Sequence, residues 1–141
     1  MTSIDTNILL YSMNLDCPEN RAAVNFVDSL KTRKDVLLCD LVLVELYLLL
    51  RNPMVVTKPL TARQAASACM GWRSNPNWRV VESAPVMGKV WRHAQKNNFP
   101  RRRIIDARLA FTLLHHGVRE FATRNEKDFQ HFGFERVFNP L

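Results

Sequence analysis

Membrane-length apolar runs are missing from this sequence. The longest candidate, LVLVELYLLL, spans residues 41–50 and carries Glu45 in its middle, well short of the roughly 20 apolar residues a bilayer requires. A basic, signal-like opening is missing too, because Asp5 interrupts the first apolar residues. These absences set the expectation of a cytoplasmic protein with no membrane partner. Cysteine is sparse: Cys17, Cys39 and Cys69 are odd in number, widely spaced and without a CxxC pair. That excludes a disulfide framework and argues against a zinc site, leaving buried free thiols. No repeat, low-complexity tract or polar linker divides the 141 residues, so residues 1–141 are expected to form one domain. No histidine stands where a general base would be expected. His115-His116 fall at a predicted helix end, where they complement the dipole, and His93 and His131 carry no signal.

What is present is apolar residues, at 47%, and positive charge, at +7 net. The charge is uneven. Residues 1–70 hold seven Lys/Arg against seven Asp/Glu, whereas residues 71–141 hold thirteen against six. A basic half suits a polyanionic partner, and a merely soluble basic surface is the alternative.

Elements alternate along the chain. A very short strand at Ile4 ends at Asp5. Asp16 and Pro18 predict a helix start, with the helix running to about Leu30. DVLLC (35–39) predicts a buried strand, and Asp40 a cap for a helix over 41–51 that stops before Pro53. Thr61 and Gln64 have capping-box spacing. WRVVE (78–82) predicts a strand, Pro85 to Lys96 a helix, and Ile104 to His116 another, ended by Gly117. REFATR (119–124) and ERVFN (135–139) predict the last two strands, with a turn around Asp128. Such alternation favours a parallel sheet covered on both faces, with ligands outside the carboxyl ends of its strands. Asp5 lies at such an end.

Two more acids sit among apolar neighbours. Glu45 has Leu41, Val42, Leu48 and Leu49 three and four residues away, which predicts burial. Asp106 is followed by Leu109, Ala110, Leu113 and Leu114 at the same spacings. Isolated buried carboxylates are costly. Three that converge need a cation, and magnesium or manganese suits an all-oxygen site completed by water. Each acid also has a structural reading by itself: Asp5 as a helix N-cap, Asp106 as a first-turn acid favoured by the helix dipole, Glu45 as partner of Arg51 or Arg108. TRNEKDF adds Thr123, Asn125, Glu126 and Asp128 just past a strand end, as ligands, water-positioning groups or helix caps. Basic residues flank the acids: Arg101, Arg102, Arg103 and Arg108 beside Asp106, Arg124 beside the last motif, and Arg51 at the end of the Glu45 helix. Arginine forks suit phosphate, although a run such as 101–103 is also a common solvated loop. Trp72, Trp78 and Trp91 are expected in the core rather than stacked on bases.

IDTNILLY, LVLVELYLLLRNP, RRRIIDARLAFTLLHHGV, FATRNEKDF and the closing VFNPL, in this order and spacing, resemble a PIN domain of the VapC ribonuclease toxin type over nearly the whole chain. The resemblance implies a three-layer α/β fold with a parallel five-stranded central sheet flanked by helices. It also implies an acidic pocket for Mg2+ or Mn2+ at the strand carboxyl ends and endonucleolytic cleavage of RNA. Asp5, Glu45 and Asp106 match the family's acids, expected both to hold metal and to serve catalysis, and Thr6 and Asn7 match the supports of the first acid. Many members have a fourth acid two residues after the threonine matched by Thr123. Asn125 stands there, and Asp128, three residues on, is the substitute candidate. The resemblance further implies a cognate VapB-type antitoxin, which fills a groove, and a homodimer. A non-catalytic RNA-binding domain would use the basic half without needing the acids. A related DNA nuclease would share them. A haloacid-type phosphatase would want a second Asp where Asn7 stands.

Overall fold

Every strand in this protein is three residues long, so the hydrogen-bond ladders alone hold little, and helices must fix their positions. The computed structural model describes residues 1–141. In chain order the elements are β1 (Thr2–Ile4), α1 (Thr6–Met13), α2 (Asn20–Leu30), β2 (Leu37–Cys39), α3 (Asp40–Leu50), α4 (Ala62–Arg73), β3 (Arg79–Val81), α5 (Met87–Ala94), α6 (Arg103–His115), β4 (Glu120–Ala122), α7 (Glu126–Phe129) and β5 (Arg136–Phe138).

All strand pairs are parallel. β1, β4 and β5 form one sheet and β2 and β3 another. The expected single five-stranded ladder is therefore corrected to three strands plus two. The two sheets meet at a lone parallel bridge between Thr2 and Val36. At that seam the Ser3 hydroxyl donates to the Leu37 carbonyl at 2.7 Å, so a side chain replaces part of the ladder. Across the bridge the strands lie in the order β3-β2-β1-β4-β5. The chain winds outward one way from β1, then returns to its other side at β4, which puts the topological switch point between the carboxyl ends of β1 and β4. Parallel sheets open their ligand crevice there.

Buried Ile4, Leu37, Leu38, Cys39 and Phe121 from the strands meet Ile8, Leu9, Val42, Leu46 and Leu113 from the helices in one main core. A smaller cluster of Val86, Val90 and Ala107 joins α5 to α6. Local signals end the helices as expected in places. Gly117, at φ +87°, closes α6, with its N–H on Leu114 and that of Val118 on Leu113, a Schellman arrangement. Thr61 Oγ1 accepts from the Gln64 N–H at 3.2 Å while Gln64 Oε1 accepts from the Thr61 N–H at 2.9 Å, completing the capping box of α4. Replacing Thr61 by Ala is expected to lower stability by about 1 kcal/mol and leave any activity unchanged, as read by urea unfolding alongside a cleavage assay.

Two predicted starts move. α2 begins at Asn20, not at Asp16-Pro18, because residues 14–20 form turns whose bonds run from Cys17 to Asn14 and from Asn20 to Cys17. Asp40 lies inside the first turn of α3 rather than capping it, and Arg73 of α4 holds its carboxylate with a two-pronged contact of 2.9–3.0 Å. The three cysteines are free, and Cys39 is buried. No helix is long and apolar enough to cross a membrane.

Candidate active site

Asp5 follows β1 directly and serves as N-cap of α1, its Oδ1 accepting the Thr6 N–H at 2.8 Å. Its backbone N–H reaches Ala122 of β4 at 2.8 Å, which ties the residue to the switch point. The N-cap reading of this acid is therefore correct, yet it does not exhaust the carboxylate. Oδ2 takes a 2.6 Å bond from the Thr123 hydroxyl and a 3.2 Å bond from the Asn7 amide. Only 6% of Asp5 is exposed. Burial drives its pKa up to about 6 against the pull of the Thr123 hydroxyl and the Thr6 N–H, and the charges of Glu45 and Asp106 push it in the same direction as burial.

Thr123, fully buried after β4, also accepts the Asn125 N–H at 3.0 Å. Asn7 accepts the Arg124 N–H at 3.2 Å, binding the last motif back to the first. Thr6 donates to Glu45 Oε2 at 3.0 Å. The first motif thus holds one acid by its cap and reaches a second through the next side chain.

Glu45 is solvent-exposed, which corrects the expectation of burial. α3 is apolar on nearly every face, so apolar neighbours at three and four residues do not mark the inside; Leu48, one of those neighbours, is itself 62% exposed. Neither Arg51 nor Arg108 pairs with Glu45. Asp106 sits in the first turn of α6 with no hydrogen-bond donor of its own and is half-buried. Burial raises its pKa to about 6, the Asp128 and Glu45 charges add to the rise, and Arg103 opposes it. Asp128, in α7, pairs with Arg103 at 2.5 Å. Asn125 is exposed and precedes α7 without a side-chain cap bond.

Asp5 thus feels the charges of Glu45 and Asp106, Asp106 those of Glu45 and Asp128, and every donor is an oxygen. Asp106 and one oxygen of Glu45 keep their lone pairs free of protein donors. This chemistry fits a hard divalent cation. No three of the acids stand close enough to ligate one ion directly, so a cation here needs water in its shell.

The arginines divide. Arg103 faces the acids and Arg108 lines the adjacent groove. Arg101 and Arg102 are exposed in the turn before α6. Arg124 pairs with Glu19 and lies over the Tyr11 ring, a partnership with no sequence signal because Glu19 is 105 residues away. Arg51 bonds the Tyr47 hydroxyl at 2.9 Å, on its own helix. Glu45, Asp106 and Arg108 edge a groove of about 600 Å³ between α3 and α6, otherwise apolar, with Leu41, Val44, Leu48, Met87 and Ile105 among its walls.

The sequence profile of the PIN domain matches residues 3–135, which contain every acid just described. The chain belongs to the PIN-domain family. It is 56% identical over all 141 residues to Ribonuclease VapC24 of Mycobacterium tuberculosis, in two strains, covering 97% of that protein, so it is a VapC-type member. Two solved structures share the PIN fold at lower identity. M. tuberculosis VapC20, described as a Sarcin-Ricin loop cleaving toxin, superposes with a TM-score of 0.70 at 18% identity, covering 95% of this chain and 96% of that one. FitAcB from Neisseria gonorrhoeae superposes at 0.65 with 20% identity, covering 99% and 98%.

Proposed function

We propose that this PIN domain is a metal-dependent endoribonuclease, the toxin of a toxin–antitoxin pair, acting on tRNA or rRNA in the cytoplasm. The observation that carries the reading is the set of oxygen-only acids at the β1/β4 switch point, in a chain 56% identical to a ribonuclease. Asp5, Asp106 and Glu45 would hold Mg2+, or Mn2+ in its place, in part through water in its shell. When bound, that ion supplies a more acidic water and charge neutralisation at the phosphate oxygens.

The chain's own residues have separable tasks. Thr123, Asn7 and the Thr6 N–H keep the Asp5 carboxylate ionised and oriented. Thr6 orients Glu45. Asp128 positions the attacking water, a role its nearness to Asp106 favours over Asn125. Arg103 and Arg108, with Arg101 and Arg102 beyond them, draw the anionic backbone to a pocket that would otherwise repel it. Arg124 and Arg51 stand further out on the rim, each already engaged.

The α3–α6 groove suits an antitoxin. An apolar segment covers Leu48 and Ile105, and a basic side chain at the groove's edge meets Glu45 and Asp106. A homodimer completes the expected assembly, checked by light scattering.

The test is incubation of antitoxin-free protein with tRNA and rRNA in magnesium, in manganese and in EDTA. Discrete fragments that require metal are expected. Intact RNA under both metals, from folded protein, overturns the reading. Cleavage of DNA alone then identifies a DNA nuclease, and RNA binding without cleavage a binding domain.

A further inference from the structure

The three tryptophans do not share one fate. Trp72 and Trp78 stack on each other at 6.1 Å, and their indole N–H groups are satisfied by Met13 Sδ and the Leu30 carbonyl. Trp91 is 59% exposed, with no ring partner and no hydrogen bond, against the expectation that it lies in the core. It projects from α5, whose inner face is spent on Val90 and on His93 packed among Phe99, Phe111 and Phe132. Met87, one turn before Trp91 on the same side of the helix, lines the groove that Asp106 edges. Side chains on a helix lean toward its N-terminus, which sets the indole over the turn that carries Met87. Arg92 folds back along the same helix, since a methyl group at Gly88 would lie 3.7 Å from its guanidinium.

Along the chain on either side of Trp91 the charge has one sign. Between Glu82 and Asp106 the chain carries Lys89, Arg92, Lys96, Arg101, Arg102 and Arg103 and no carboxylate. Of these only Arg103 forms an ion pair. An unpartnered aromatic face on a segment rich in unpaired cations is what single-stranded nucleic acid binds: the cations follow the backbone and the ring takes a base.

We infer that α5 and the arginine turn after it form the substrate-docking arm of this nuclease, with Trp91 stacking on an unpaired base of the RNA beside the cleavage pocket. The inference rests on the ribonuclease reading for its substrate, not for its measurement. Trp91 is a positioning residue and takes no part in the chemistry. A paired base hides its face, so the stacking selects single strands and loops over duplex.

The test is binding of the full chain, in EDTA to prevent cleavage, to a labelled short single-stranded RNA of mixed sequence and to the same RNA annealed to its complement. Trp91→Ala is expected to weaken single-strand binding about tenfold, leave duplex binding nearly unchanged and leave the salt dependence as in the wild type, since no charge is removed. Trp91→Phe is expected to restore most of the affinity. Arg101→Ala with Arg102→Ala flattens the salt dependence for both RNAs. Wild-type single-strand binding by Trp91→Ala overturns the inference, as does an equal loss on single strand and duplex, or a loss of self-association with RNA binding intact. Metal-dependent cleavage with Trp91-independent binding sinks this inference alone. Trp91-dependent binding with no cleavage under either metal sinks the ribonuclease reading alone.

Discussion

Asp106→Asn is expected to lower metal-dependent cleavage by at least about a hundredfold and, in EDTA near neutral pH, to raise the melting temperature. The second effect follows from the sign of the pKa shift. In the folded chain Asp106 titrates at about 6, against an ordinary value of 3.8. Between those values the folded state holds more proton than the unfolded state. Ionisation therefore opposes folding: the cost is absent below 3.8, grows through the interval and is complete above about 6. Asparagine has no proton to lose and escapes it. With allowance for the solvent at the pocket's open side, the gain above pH 6 is about 1–2 kcal/mol, or several degrees for a chain of this size. Below pH 4 the two proteins should melt together. Magnesium should stabilise the wild type, which binds it only when folded, and do little for the variant. A melting temperature that falls in EDTA near neutral pH would show that Asp106 supports the fold instead of burdening it, and the metal reading would lose its main acid.

That opposition explains which parts of the site were legible in the sequence. Acids that burden a fold stand out against apolar neighbours, so helical spacing marks Asp106, and the place of Asp5 at a strand end shows which way it faces. For Glu45 the same spacing predicts a burial that the structure does not show. Of its apolar neighbours Val42 is in the core, but Leu41, Leu48 and Leu49 are walls of an open groove, and one-dimensional spacing cannot separate a groove wall from a core when a helix is apolar all round. The single five-stranded ladder failed at one seam, where the Ser3 hydroxyl stands in for backbone pairing, a substitution no periodicity records. Asp40 enters the first turn of α3 instead of capping it, and its partner Arg73 lies 33 residues away, as Arg124's partner Glu19 lies 105 away, so neither pairing leaves a local signal. The general tendency of tryptophan predicts a core position for Trp91, whereas helical geometry turns it outward beside buried Val90.

The bond between Thr123 and Asp5 joins the two ends of the chain across 118 residues, and it makes the sharpest pH prediction. Thr123→Val keeps the shape of the side chain and removes the hydroxyl. Asp5 Oδ2 is then left with the Asn7 amide at 3.2 Å, and the Asn125 N–H loses its acceptor. The hydroxyl now holds the Asp5 pKa down against burial, which alone is the largest influence and has already carried it to about 6. Without it the pKa moves further up, and at a given pH less of Asp5 is the carboxylate that a divalent cation needs. The acid limb of the cleavage profile should therefore shift to higher pH, with magnesium affinity falling about tenfold to a hundredfold at pH 6 to 7 and recovering as the solution is made more alkaline. Thr123→Ser, which keeps the donor, should restore the wild-type profile. A loss of the same size at every pH would locate the role of Thr123 elsewhere, in seating the Asn125 turn at the start of α7, and Asp128 rather than Asp5 would then be the residue it serves.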